Sequence, residues 1–249
     1  TIRMVLHLPL RQTEGFLRSL ADKLEVDIPI PDHTTLSRRL KTLGELSFHA
    51  VASNRPIHLL IDSTGLRIHV GNLRKPPRNR TSRKLHLAVD ANTGEIVASD
   101  LTRRRTHDCT RVPELLGQIN ARVTSVSADG AYDNEGVYEA VQAQGEGRAV
   151  SVLIPPGRDA QLCPRPSDAL KEKNRNILSI RRLSRREWRK RSGSSKRSTV
   201  ENAIYRPKTT IGGGMRSRTV AGQGVEVQLA CRDINTLTHL GMPDSYRVG

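Results

Sequence analysis

From residue 55 onward the apolar residues arrive in short runs of strand length: IHLLID, RKLHLAVD, EIVASDLT, VTSVSAD and AVSVLIPP. Between them lie turn formers or stretches of helical spacing, and this rhythm limits the fold more than any other feature. ANTG joins the second and third runs, and Asn92 and Gly94 tolerate the left-handed backbone of a hairpin turn. Residues 111–122 and the segment NEGVYEAVQAQG suit helices that separate the later runs. Three strands, then helix, strand, helix, strand, predict a mixed α/β sheet with a hairpin at one side and crossover helices after it. A basic stretch and further helix complete the chain.

The first part reads differently. Leu10, Phe16, Leu17, Leu20 and Leu24 recur at helical spacing, and IPIPD makes a turn with Pro29 and Pro31. Asp32 is placed to cap a second helix carrying Leu36, Leu40 and Leu43. Thr34, Thr35, Arg38, Arg39 and Lys41 fall on the outer side of that helix. These residue types suit phosphate and base-edge contacts in a major groove, although a small helical cap on the next domain explains the same pattern equally well. The chain opens at Thr1 within an apolar segment, which leads us to expect residues upstream.

Charge narrows the function. Lys and Arg number 41 against 25 Asp and Glu, a formal net charge of +16, yet 36% of the residues are hydrophobic, enough for a packed core. A folded body with this excess calls for a polyanionic partner, because each cation set on a phosphate releases condensed counterions. Aromatics are only 3%, which argues against a single-strand binder built on stacked bases and favours double-stranded DNA. The stretch 171–191 alone holds ten basic and two acidic residues, with Ile177, Ile180, Leu183 and Trp188 as its apolar side. A second cluster at 73–84, including Arg74, Lys75, Arg78 and Arg80, carries two prolines and reads as a surface loop. Cys109, Cys163 and Cys231 form no CxxC pair, which excludes a disulfide framework and a thiolate zinc site. No apolar run approaches the roughly 18 residues of a membrane span, and no signal-peptide pattern is present. The expected location is cytoplasmic and nucleoid-associated.

Two carboxylates stand out. Asp62 ends the apolar run in IHLLIDSTGL and Asp129 ends that in VTSVSADGAYD. Charged residues at the ends of buried strands lie at the sheet rim, where ligands collect in α/β folds. Taken singly, each is as well explained as a cap on its own backbone. Glu201, in KRSTVENAIYRPK, has Arg197 four residues before it and Lys208 seven after, so an unbroken helix carries all three on one face. A surface ion pair and a metal carboxylate between phosphate clamps both remain open. Asp90 is explained by the hairpin turn and Asp133 as the cap of the next helix, while Asp100 and Asp108 lack a comparable strand-end context. The histidines form no HExxH, and no GxSxG or complete GxGxxG occurs.

With Asp62 in IDSTGL, Asp129 in ADGAYD, and Arg197, Glu201 and Lys208 spaced R-x3-E-x6-K, the chain resembles the DDE transposases of bacterial insertion sequences, in the insertion-sequence-five group. The tail IGGGMRSRTVAGQGVEVQLACRDINTLTHLGMPDS and the segments LRQTEGFL and PDHTTLSRR are also similar to that group. The resemblance implies an RNase H-like mixed sheet flanked by helices over residues 55–243, with a basic insertion around 156–195, preceded by a helix-turn-helix-like DNA-binding segment over residues 1–50. It implies that Asp62, Asp129 and Glu201 are the catalytic carboxylates and hold Mg2+, with Mn2+ as a substitute. Two such ions about 4 Å apart activate water or a DNA 3'-hydroxyl and stabilise the leaving oxygen. It further implies phosphate contacts from Arg197 and Lys208, flanking DNA contacts from Arg38, Arg39, Arg74, Lys75, Arg78, Arg80, Arg185 and Arg186, and a homodimer that holds two element ends. This sequence departs from the family pattern at Ser194, where the motif has Tyr, and at Pro207, which removes a helical donor beside Lys208. A catalytically inactive, sequence-specific DNA-binding protein is the alternative that these departures leave open.

Overall fold

The structure, a computed structural model, describes residues 2–42, 55–68, 82–145, 147–157, 159–192, 205–206, 214–217 and 219–240. Its chain divides into two compact units. One comprises Thr1–Leu46, Leu66–Thr81 and Arg206–Gly249; the other comprises Ser47–Gly65 and Ser82–Tyr205.

The second unit is built on a sheet. Among the described residues five strands take part: β1 (Ile57–Arg67), β2 (Ser82–Asp90), β3 (Ile96–Arg103), β4 (Val123–Ser127) and β5 (Ser151–Leu153), in the spatial order β3-β2-β1-β4-β5. β2 and β3 are the antiparallel hairpin that ANTG predicted. Asp90 turns it, accepting from the Asn92 N–H at 3.0 Å and the Thr93 hydroxyl at 3.3 Å, and Gly94 takes the left-handed φ of +74°. The Ala91 N–H, just past the end of β2, donates to the His58 carbonyl near the start of β1, so these two strands also run antiparallel. β4 and β5 are both parallel to their inner neighbours. This is the expected RNase H-like mixed sheet, flanked by helices.

The core forms where α4 (Val112–Leu116) and α5 (Glu135–Gln144) cover one sheet face. Val112, Leu115, Leu116, Val137, Tyr138 and Val141 pack there against Leu59, Ile61, Ala88, Val126, Val152 and Ile154. Each fully buried aliphatic side chain contributes on the order of 1.5–3 kcal/mol. The last six residues of β2 are all buried, as in a strand covered on both faces. Beyond β5, the Ser167 hydroxyl caps α6 (Asp168–Leu183), and the Asn176 amide donates to the Val152 carbonyl at 2.7 Å, tying α6 to β5.

Four local expectations are corrected. The basic stretch 171–191 is two helices, because Ser184 takes a φ of +74° between α6 and α7 (Arg185–Arg191) and caps the latter. Asn134, not Asp133, caps α5, since its side chain accepts from the Gly136 N–H at 3.1 Å. Asp133 instead accepts from the Tyr138 hydroxyl and the Gly157 N–H and pairs with Lys173 at 3.2 Å. The helix expected over 111–122 is only Val112–Leu116, preceded by a 3₁₀ turn at Asp108–Arg111. Finally, Arg83 and Lys84 belong to β2 rather than to a loop.

In the first unit, α1 (Ile2–Val5), α2 (Leu10–Lys23) and α3 (His33–Thr42) accompany α8 (Val220–His239). Asp32 caps α3 as predicted, accepting from the Thr34 and Thr35 N–H groups at 2.8 Å each; with the two threonine hydroxyls these bonds hold its carboxyl far below its usual range. Glu14 of α2 accepts from the His33 N–H at 2.8 Å and meets its ring at 2.9 Å, pinning the helix pair. The carboxylate of Glu226, buried on α8, accepts from the Arg216 and Ser217 N–H groups, while Met215 bridges to Ile68.

Gly145, at the end of α5, is a position of close approach. A Cβ there would collide with the Arg148 carbonyl oxygen and come within 2.9 Å of Val150 Cγ2, a residue fully inside the core. We expect Gly145→Ala to destabilise the chain by about 1–3 kcal/mol. In a thermal melt the midpoint should fall by roughly 2–4 °C per kcal/mol lost.

Candidate active site

Asp62, expected at a strand end, lies instead within β1, which continues to Arg67, whereas β4 stops at Ser127, two residues before Asp129; the parallel pairing of the two strands relates the two carboxylates. Leu59 lies opposite Val126 and Leu60 opposite Ser127, and the same register carried two residues further sets Asp62 level with Asp129 just beyond the end of β4. The His58 ring fixes this register by bonding to the hydroxyls of Ser125 and, at 3.2 Å, Ser127 across the strand pair. Both aspartates are partly exposed.

Each carboxylate is braced by backbone. Asp62 Oδ1 accepts from the Ser63 N–H at 2.7 Å. Asp129 caps the 3₁₀ turn Gly130–Tyr132, its Oδ1 accepting from the Ala131 N–H at 2.8 Å. Backbone amides thus orient both groups.

In the turn that Asp129 caps is a residue that the sequence reading passed over. Tyr132, three positions after Asp129, is 1% exposed, and its hydroxyl makes no hydrogen bond among the described residues. Burial pushes its phenol well above the ordinary range, and the negative charges of Asp108, Asp62 and Asp129 add to that rise, while the nearby Ser63 side chain opposes it. The phenol therefore stays protonated and is a potential donor.

Asp108, also set aside from the sequence, belongs to a polar cluster beside Tyr132. Lys84 Nζ stands 3.0 Å from its Oδ1 and donates to the Thr106 carbonyl at 2.9 Å. Fully buried His86 stands 3.5 Å from the same carboxylate oxygen through Nδ1, and its Nε2 meets the Thr102 hydroxyl at 2.8 Å. Burial lowers the His86 pKa below its ordinary value, with Asp108 and Asp100 pulling weakly the other way. Alternation along β2 places Lys84 and His86 on one face, a signal that sequence carries; their partner on the turn after β3 is visible only in three dimensions.

Arg38 and Arg39 are exposed on α3, and Arg186 is exposed on α7. Arg185 is half-buried and donates to the Pro156 carbonyl at 2.6 Å, so part of its guanidinium holds the loop after β5. Glu201, Arg197, Lys208, Arg74, Lys75, Arg78 and Arg80 lie outside the described residues, as do Ser194 and Pro207. No group of three His, Cys, Asp or Glu side chains able to hold a metal ion occurs among the described residues. The groups in electrostatic reach of one another here, two carboxylates and a phenol, are hard oxygen donors, which fit Mg2+ or Mn2+ better than zinc. Cys109, Cys163 and Cys231 form no disulfide, and no described helix is long and apolar enough to cross a membrane.

A protein-family model described as a transposase DDE domain matches residues 53–232, and a second with the same description matches residues 1–71. Among solved structures, the chain is similar to the Mos1 transposase paired-end complex with left transposon end. Identity is 12% over 84% of this chain and 75% of that one, with a TM-score of 0.30. The Mos1 mariner paired end complex with Mn matches at 13% identity over 88% and 73%, with a TM-score of 0.28. The piggyBac transposase synaptic complex with hairpin DNA matches at 10% over 76% and 55%, with a TM-score of 0.27.

The His86 environment has a consequence for pH. Its folded-state pKa lies below the unfolded value near 6.5, so unfolding takes up a proton as the pH drops through that value. Stability contributed by neutral His86 is present above pH 6.5 and declines as pH falls toward the lowered value. Urea melts at pH 7.5 and 5.5 should show this loss in the parent chain and a smaller one in His86→Gln; an equal loss in both would assign it to other groups.

Proposed function

Because this chain belongs to the DDE transposase family, whose model spans residues 53–232, we propose that it is the DNA transposase of a bacterial insertion sequence of the insertion-sequence-five group. In this reading it binds element ends as double-stranded DNA, cuts them, and joins them to target DNA at a divalent-metal site. The observation that carries the reading is the parallel register of β1, which holds Asp62, with β4, which leads directly into Asp129, each carboxylate being held by a backbone N–H.

The chain's own residues divide the work. Asp62, Asp129 and, from the R-x3-E-x6-K motif, Glu201 hold Mg2+ or Mn2+ through carboxylate oxygens. Divalent cations held there lower the pKa of water or of a DNA 3'-hydroxyl and offset charge on the leaving oxygen. Arg197 and Lys208 contact the phosphates beside the scissile bond, so the phosphodiester is presented in line with the carboxylate pair. Hydrolysis and joining then share one site without a covalent protein intermediate. Arg38 and Arg39 on α3, Arg186 and the outer part of Arg185 on α7, and Arg74, Lys75, Arg78 and Arg80 supply backbone contacts, consistent with the net charge of +16. A homodimer holding two ends, acting at the nucleoid in the cytoplasm, completes this reading.

Ser194 and Pro207 support a second reading, a DNA-binding protein of the same ancestry that no longer cuts. Nicking and joining of plasmid DNA bearing the element's ends, in Mg2+ or Mn2+, separates the two. We expect products from the parent chain and only background from Asp62→Asn, Asp129→Asn and Glu201→Gln. Binding without products favours the inactive reading, and cleavage without joined products makes the protein a nuclease. In the same preparations, Arg38→Ala and Arg186→Ala should each lower the salt slope of DNA binding by about 1; an unchanged slope removes that residue from the interface.

A further inference from the structure

The hydroxyl of Tyr132 is a buried donor without a hydrogen bond among the described residues, and the cluster beside it holds two more buried atoms without one, His86 Nδ1 and Asp108 Oδ1. Leaving a buried hydroxyl unpaired is costly, and in folded proteins such a group calls for an explanation. Its surroundings supply one. The residue belongs to the turn that Asp129 caps, its ring is packed in the same core as Ile61, and Ser63, whose N–H holds Asp62, is a close neighbour. Tyr132 thus neighbours both backbone segments that carry the carboxylate pair. The Ser63 side chain interacts with the phenol, and of the three acidic groups in electrostatic reach, Asp108, Asp62 and Asp129, none takes its hydrogen bond.

We propose that Tyr132 is a positioning residue whose phenol donates to the oxygen shell of a divalent cation bound by Asp62 and Asp129. This rests on the functional reading of that pair given above. A phenol is suited to the task because it gives one hydrogen bond without adding charge, and its ring, locked in the core, fixes the direction of the donor. Burial and the surrounding carboxylates keep it protonated across the whole working range of pH. The donor gains its partner when the cation arrives, and in doing so it links the spacing of Asp62 and Asp129 to occupancy of the site.

Two measurements on the full chain test this. The first uses the unaltered sequence with 13Cζ-labelled tyrosine, which gives one resonance for each of four tyrosines. Titration with Mg2+ should shift the Tyr132 resonance, assigned by its loss in Tyr132→Phe or, if that variant does not fold, by its slow exchange and insensitivity to solvent quenchers. The shift should vanish in Asp62→Asn. A Tyr132 resonance that ignores Mg2+, as a phenol bonded to a permanent water would, overturns the proposal. The second measurement is Mn2+ affinity by electron paramagnetic resonance. Tyr132→Phe should bind about 10-fold more weakly, as for other groups that orient metal ligands, while its metal-free thermal midpoint stays level or rises. Parent-like Mn2+ affinity in Tyr132→Phe, alongside loss in Asp62→Asn and Asp129→Asn, overturns the role of Tyr132 and leaves the carboxylate site standing. Parent-like affinity in both aspartate variants removes the site itself, and the proposal with it.

Discussion

The parallel register of β1 against β4 is the constraint on which the site depends. Side chains alternate along a strand, so a slip of one residue would turn Asp62 toward the opposite face and separate it from Asp129. Hydrophobic pattern alone specifies this pairing weakly, because β4 contributes only five residues and both strands are largely buried. His58 adds the missing specificity. Its ring reaches Ser125 and Ser127, two positions on the same face of β4, and only one register satisfies both hydroxyls. A polar contact near the start of β1 thereby sets the register that relates Asp62 to the end of β4.

Electrostatics shape the surroundings of that pair. The chain is strongly basic, yet the sheet rim gathers Asp62, Asp129 and, through Tyr132, Asp108. Like charges near one another raise the free energy of the empty site, and each is offset differently: backbone N–H groups for Asp62 and Asp129, and the Lys84 ammonium for Asp108. The Lys84–Asp108 pair is only about one-fifth exposed, and with fully buried His86 beside it the cluster carries a desolvation cost that no surface ion pair would. Such a cluster is tolerated where it holds the turn after β3 in place under the site.

Features that depend on neighbours in sequence were legible from the sequence. The hairpin at ANTG, the cap at Asp32 and the position of Asp129 just past β4 follow from periodicity and turn chemistry, whereas Asp62, which ends the apolar run, lies within a strand that the polar continuation prolongs to Arg67. Legibility failed where long-range packing decided between local options. Asp133 and Asn134 are both good helix caps, and only the positions of Lys173 and Gly157 decide that Asp133 is drawn away and Asn134 does the capping. The break at Ser184 interrupts a continuous basic pattern at a non-glycine residue, which propensity does not anticipate. Trp188 is buried on the far side of that break, and Arg185 reaches the Pro156 carbonyl, so tertiary contacts select the bend. Tyr132 read as an ordinary core aromatic, and nothing in its spacing distinguishes a satisfied phenol from an unsatisfied one.

Asp129 also shows why capping and ligation are poor alternatives for a carboxylate at a strand end. One oxygen accepts from Ala131 and orders the turn that carries Tyr132, while a carboxylate has about four lone-pair directions and two oxygens to present. The cap lowers the conformational freedom of the group, which favours binding a hard cation. Asp62 follows the same logic through the Ser63 N–H. A carboxylate that first satisfies its own backbone is therefore preorganised, and the local hydrogen bond that made each aspartate look merely structural in the sequence is the feature that equips it to act as a ligand.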